Sequence, residues 1–364
     1  MHIPDNTIKH ISFIGTEYEY YSYPILTADD TDKILLDVAQ TTSMIFNRSS
    51  QYNGKYWMDG RPMIQYPKWH RGDKYKLDVN EYFIKEYNDV RIRIYDHSLE
   101  KSIGHEGRKI EVIGNSNGEY DLDRVYPLLN FEGKSWQHFT QDCLPILVFG
   151  IDFLKENPDV DLLVYEPHTW KYETFFELMK YFDLDNKVIF IPHGFDCEFN
   201  VKTLYNFDAT PTMPTWWWNT WFYEQIHSIL PTSDINKNVI LVERPNLRSL
   251  KNSDEIAQIL MEYAYENSLN FIRFNPSDLK PDELFKIFSE AHTVVSPHGG
   301  ANYNMIFCNS NTKFIELCFT DCMYSLYNIA ASIKCKYYII PASGHNNTQH
   351  FYLPSQKLKK IINE

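Results

Sequence analysis

The sequence predicts an α/β fold in two units, and three observations carry that prediction. Strand-like and helix-like stretches alternate from about residue 125 onward. The alternation breaks once, in a proline- and tryptophan-rich span over 200–236, and then resumes with a second set of β-branched runs and amphipathic helices. Such alternation is the pattern of a parallel sheet with right-handed crossovers. At 364 residues the chain is long for one core and comfortable for two domains. The composition shift places an N-terminal α/β domain at 1–215, with an irregular, strand-rich entry, and a second, C-terminal α/β domain at 216–364.

The entry, up to about residue 125, offers short alternating runs at 90–95 and 109–113 as strands, and Asp29-Asp30-Thr31-Asp32 as a helix cap before 33–38. From there the pattern reads strand 125–129, a turn at Gly133, and a helix over 135–156 that Pro145 kinks or breaks. Strand 162–165, helix 173–182 and strand 187–191 follow. In the second half the order is strand 239–242, helix 254–266, strand 270–274, helix 281–291, strand 293–296, a short helix 302–307, strand 314–317, helix 324–333, strand 337–340 and a closing helix 355–363. Ile256, Ile259, Leu260, Tyr263 and Ala264 fall on one helix face, and Leu284, Ile287, Phe288 and Ala291 repeat the spacing.

Composition excludes several classes. A formal net charge of −13 argues against a nucleic-acid partner, because phosphate backbones are bound through a surplus of Lys and Arg. The six cysteines show no CxxC pair and no zinc spacing, which reads as buried, reduced thiols and a cytoplasmic setting. The first residues lack the basic flank and apolar run of a signal peptide, and no stretch is long and apolar enough for a transmembrane segment.

Four pieces can carry chemistry. In Thr293 to Leu317 a strand feeds the turn Pro297-His298-Gly299-Gly300-Ala301 and then Asn302, where small residues let backbone approach a ligand and unpaired N–H groups favour phosphate. Arg244 and Arg248 follow a strand end, and arginine forks match a diphosphate in geometry as well as charge; either could instead pair with Glu243 or Asp254. His138 and Asp142 sit four residues apart on one helix face, as a site pair or as a plain surface contact. Glu316 ends its strand, where a carboxylate can accept from ribose hydroxyls or partner a lysine. Three Asp-x-Asp pairs, at 121–123, 159–161 and 183–185, read as solvated turns, so no metal ligands are expected.

These pieces together resemble glycosyltransferase family 61, whose histidine–glycine loop reads roughly G-x-H-G-A-G-L-x-N-x-x-F before an apolar run ending in Glu. His298, Gly299, Asn304, Phe307 and Glu316 fall on that pattern, while Gly300-Ala301-Asn302 stands where the family more often has Ala-Gly-Leu. Trp136 to Pro145 is similar to the family's His-x-x-x-Asp/Glu and Leu-Pro, and Arg244 with Arg248 to its strand-end arginines, so the resemblance covers about 125–316. It implies the GT-B fold, two Rossmann-like domains facing a cleft. It also implies transfer of a sugar from a nucleotide diphosphate, most often UDP-linked, to a hydroxyl of a glycan or glycoprotein acceptor, with inversion and with no cofactor or essential metal. On that reading Arg244, Arg248, His298, Gly299, Gly300, Ala301, Asn302 and Glu316 bind the donor. Asp142 or His138 is the base, and His193 and Trp136 lie on the acceptor side. The tryptophans near 216–221 either stack on a sugar or fill a core. A pyruvyl or phosphosugar transferase on the same plan, or a binding protein without turnover, remains an alternative.

Overall fold

Alternating apolar runs on this chain find partners in two sheets. The computed structural model describes residues 81–94, 110–129, 133–168, 170–192, 196–210, 220–230, 233–244, 248–275, 280–318, 321–323, 335–341 and 350–363. It also describes residues 326, 329, 330 and 333 and the short strands Thr7–Ser12, Tyr21–Ser22, Ile34–Asp37, Met44–Ile45 and Met63–Gln65. The chain divides into two compact units, 1–17 with 77–225 and 18–76 with 226–364, so residues 18–76 go with the second unit.

The first unit holds a mixed, seven-stranded sheet. Cys197–Thr210, Leu122–Pro127, Asp161–Tyr165 and Val188–Ile191 lie parallel in that order, while Glu81–Ile94 joins Cys197–Thr210 antiparallel, in register from Cys197 opposite Ile94 to Thr210 opposite Glu81. Thr7–Ser12 and Ile110–Asn115 pair antiparallel with Glu81–Ile94. The long strand Cys197–Thr210 corrects the expectation that the regular pattern already stops at residue 200. Val201, Leu204, Tyr205 and Phe207 are buried and Lys202 is exposed. Val125, Leu163, Tyr165, Ile191, Val201 and Leu204 form one buried cluster, at about 1.5–3 kcal/mol of transfer free energy for each large apolar side chain.

The second unit is built on Asn270–Phe274, Asn238–Val242, Ala291–Pro297, Lys313–Cys318 and Lys336–Pro341, all parallel. Ile34–Asp37 adds an antiparallel edge to Lys336–Pro341, where the sequence suggested a helix. The apolar run Ile34-Leu35-Leu36 is short enough to serve either structure, and the open sheet edge decides it. Helix Ser253–Glu266 buries Ile256, Ile259, Leu260, Tyr263 and Ala264, the face its periodicity specifies. Helix Pro281–Ser289 buries Phe285 and Phe288, Ala291 just beyond it is buried, and Leu284 and Ile287 are half-buried. Helix Ser355–Ile362 closes this core with Leu358, Ile361 and Ile362. The buried Lys313 ammonium donates to Ile361 O and Ile362 O, 3.1 and 2.9 Å, satisfying carbonyls at that helix end. Most of the expected helix 324–333 lies outside the described residues.

Candidate active site

In the second unit the strand order brings three carboxyl ends side by side. Arg244 follows Asn238–Val242, His298 follows Ala291–Pro297, and Glu316 lies in Lys313–Cys318, directly opposite Ser296 in the ladder. The Arg244 guanidinium donates to His298 O at 2.7 Å and lies against Gly299, where an added Cβ would be 1.8 Å from its Nη1. Glycine at this position therefore makes room for an arginine. Burial lowers the guanidinium's hold on its proton, and the charge of Arg248 lowers it further; burial acts on Arg248 in the same direction. Arg248 itself takes a left-handed backbone, φ 61°.

The acidic neighbours in sequence do not neutralise Arg244. Glu243 accepts from Arg273 and Ser253, and Asp254 accepts from Arg273. Among the described residues, the one polar partner of the Arg244 side chain is the His298 carbonyl. A half-buried cation beside a second one, without a carboxylate, is an anion site in waiting.

His298 is held just as firmly. Its Nδ1 meets Glu316 Oε1 at 2.6 Å and its backbone N–H donates to Leu317 O at 2.8 Å. Glu316 Oε1 also accepts from Asn302 Nδ2 at 2.9 Å, and Oε2 accepts from the Tyr337 hydroxyl. Ser296 donates to Asn302 Oδ1, which fixes the orientation of that amide. Glu316 and Asn302 are both 0% exposed, and the polar atoms named here bond within the protein, behind His298. Gly300 and Ala301 are partly exposed at the start of the 3-10 helix Gly300–Phe307, whose Ile306 carbonyl accepts from His227 Nε2 at 2.8 Å. Tyr337 and Ser296 were not singled out in the sequence, because nothing local ties either of them to residues in other strands or turns.

The first unit carries a second histidine–carboxylate pair. His138 Nδ1 and Asp142 Oδ2 are 2.9 Å apart, with the imidazole 22% and the carboxylate 5% exposed. Their helix is not uniform: Trp136–His138 is α-helical, Phe139–Cys143 is a π-turn, and Leu144–Glu156 is α-helical again. Pro145 has no N–H to give and its ring crowds the carbonyl four residues back, and the wider turn just before it accommodates both demands. Leu144 N–H reaches Phe139 O, and the Thr140 hydroxyl donates to Trp136 O. Trp136 is 7% exposed, stacks on Phe139 and lies near Trp170.

His193 and Trp216 to Trp218 lie outside the described residues. The Asp-x-Asp pairs precede strands or open them: Asp123 pairs with Lys202, Asp159 with Arg124, Asp161 with Lys187 and Asp183 with Lys155. Among the described residues no three His, Cys, Asp or Glu side chains gather as metal ligands would, and no helix is long and apolar enough to cross a membrane.

Residues 136–315, from the tryptophan before His138 to the residue before Glu316, match the family model described as Glycosyltransferase 61. A search of the curated proteins finds no match. The matched span contains both histidines, both strand-end arginines and the glycine that seats Arg244. The match supports a protein of the glycosyltransferase family 61 type.

Proposed function

We propose that the protein transfers a sugar from a UDP-linked donor to a hydroxyl of a glycan or glycoprotein acceptor, with inversion and without a metal requirement. The observation that carries this reading is the Arg244 guanidinium, half-buried beside Arg248 and bonded to the His298 carbonyl instead of a carboxylate. A departing nucleotide diphosphate gathers negative charge, and fixed cations in a partly desolvated site stabilise that charge where it develops. Arg244, Arg248, His298 and the turn at Gly299 to Ala301 form the donor end of the second unit in this reading. The GT-B plan, inversion and the UDP link are carried over from the family. The acceptor proton is assigned to the His138–Asp142 pair, with the more exposed imidazole as base and the buried carboxylate orienting it.

A panel of nucleotides and nucleotide sugars, screened by thermal shift, tests the donor assignment. UDP or a UDP-sugar at about 100 times its dissociation constant should stabilise the protein by about 2.7 kcal/mol. UDP-sugar incubated with the protein alone should be hydrolysed slowly, and activity should survive EDTA. No stabilisation by any nucleotide diphosphate would overturn the reading. Tight UDP binding with no cleavage in any acceptor mixture would make the protein a binding module instead.

A further inference from the structure

The buried network behind His298 has a chemical consequence beyond holding a loop. Glu316 accepts from His298 Nδ1, from Asn302 Nδ2 and from the Tyr337 hydroxyl, and the Asn302 amide is itself oriented by Ser296. A carboxylate that receives the Nδ1–H fixes the neutral imidazole in one tautomer and leaves Nε2 as its lone-pair nitrogen. Among the described residues Nε2 has no hydrogen-bond partner, and it is not sealed from solvent. Among the described residues, charged and titratable groups reach this network from three elements. Glu316 comes from its own neighbouring strand, Tyr337 from the strand behind, and Arg244 with Arg248 from the segment after Asn238–Val242.

Resting on the donor reading above, we propose that nucleotide diphosphate binding is coupled to uptake of one proton at His298 Nε2, with Glu316 as the built-in counter-ion and Tyr337 and Asn302 as positioning residues. In the empty site two arginines oppose a third positive charge. A bound diphosphate reverses that balance: the proton comes from solvent, an Nε2–H···O bond forms to a phosphate oxygen, and the imidazolium is flanked by two anions, the phosphate and Glu316. On release of UDP the proton returns to solvent. Affinity for UDP should accordingly be highest on the acid side and fall as pH rises from the free towards the bound imidazole value.

The test is calorimetric titration of UDP, and separately of inorganic pyrophosphate, into the full chain in two buffers of different ionisation heat. At a pH of about 8 a free imidazole is normally neutral and the terminal phosphate of UDP already ionised, so UDP brings little proton change of its own. The wild type should take a proton from the buffer on binding UDP. His298→Gln should bind more weakly and take up none. Glu316→Gln keeps the shape and can accept from His298 and Asn302 through its amide oxygen, so a merely structural role would leave uptake unchanged; loss of uptake is expected. UDP binding to the wild type without proton uptake, or with equal uptake in His298→Gln, would overturn this proposal and leave the donor assignment standing. Failure of both UDP and pyrophosphate to bind the wild type would overturn the donor assignment, and this proposal with it. If Glu316→Gln does not melt as a folded protein, the comparison of wild type with His298→Gln decides.

Discussion

Two histidine–carboxylate pairs, one in each unit, are built in opposite ways. His138 and Asp142 are four residues apart on one helical segment, and the segment alone brings them to 2.9 Å. His298 and Glu316 are eighteen residues apart, one in the turn after a strand and the other within the neighbouring strand, and they meet because Ser296 and Glu316 are ladder partners. The first pair keeps a partly exposed imidazole, whereas the second sinks its carboxylate completely, with three donors on it. A local pair can be altered with little disturbance to the fold. A long-range pair with a buried, multiply bonded carboxylate is part of the fold as well as of the site, since the groups bonded to that carboxylate depend on it.

That contrast can be broken or sharpened by measurement. The largest effect is expected at the local pair: His138→Ala should lower turnover by roughly two to four decades while UDP affinity stays near wild type, as for loss of a general base. Asp142→Asn should impair transfer too, and near-normal transfer in both variants would reduce the pair to a helix-surface contact. Next comes stability, read by urea unfolding. Glu316→Ala should cost about 3–5 kcal/mol, the scale for opening a buried charged network, and Asp142→Ala less, because its histidine partner keeps more access to water. Equal losses would erase the distinction between the pairs.

Arg244→Ala should weaken UDP binding by about 1.5–3 kcal/mol, the scale of hydrogen bonds to charged groups, without unfolding the protein. Gly299→Ala should act the same way, because its Cβ needs the space of the Arg244 guanidinium. UDP binding unchanged in both would remove the diphosphate assignment. The smallest expected effect is a pH dependence of stability. Burial depresses the proton affinity of His227, whose Nε2 holds the Ile306 carbonyl. A group with a folded value below its unfolded one stabilises the fold above the unfolded value, and that contribution is lost as pH falls through the folded one. Stability should thus decline on acidification from the ordinary imidazole range downward, and His227→Gln should flatten that part of the curve.

The arginine and glycine positions were legible because strand ends followed by Arg or by His-Gly-Gly are local signals, readable without knowing what lies beside them. The helix faces were legible for the same reason, since Ile256 to Ala264 declare their spacing within one element. Other features had no such signal. The exposure of His298 and the inaccessibility of Glu316 and Asn302 depend on what packs over them. Tyr337 belongs to the network through the order of parallel strands, which no local pattern states.

By itself, then, the sequence determined the alternation of strands and helices, the i, i+4 pairing of His138 with Asp142, and the presence of cations and small residues at two strand ends, since all of these follow from spacing along one chain. Tertiary structure decided the rest. The long strand Cys197–Thr210 runs antiparallel to Glu81–Ile94 and makes the first sheet mixed, and Glu243 and Asp254 choose Arg273, so that among the described residues no carboxylate pairs with Arg244. The same tertiary packing buries Glu316 and sets it to hold His298 from behind. Charge partners and burial are properties of three-dimensional proximity, and a one-dimensional pattern fixes the candidates without fixing which of them meet.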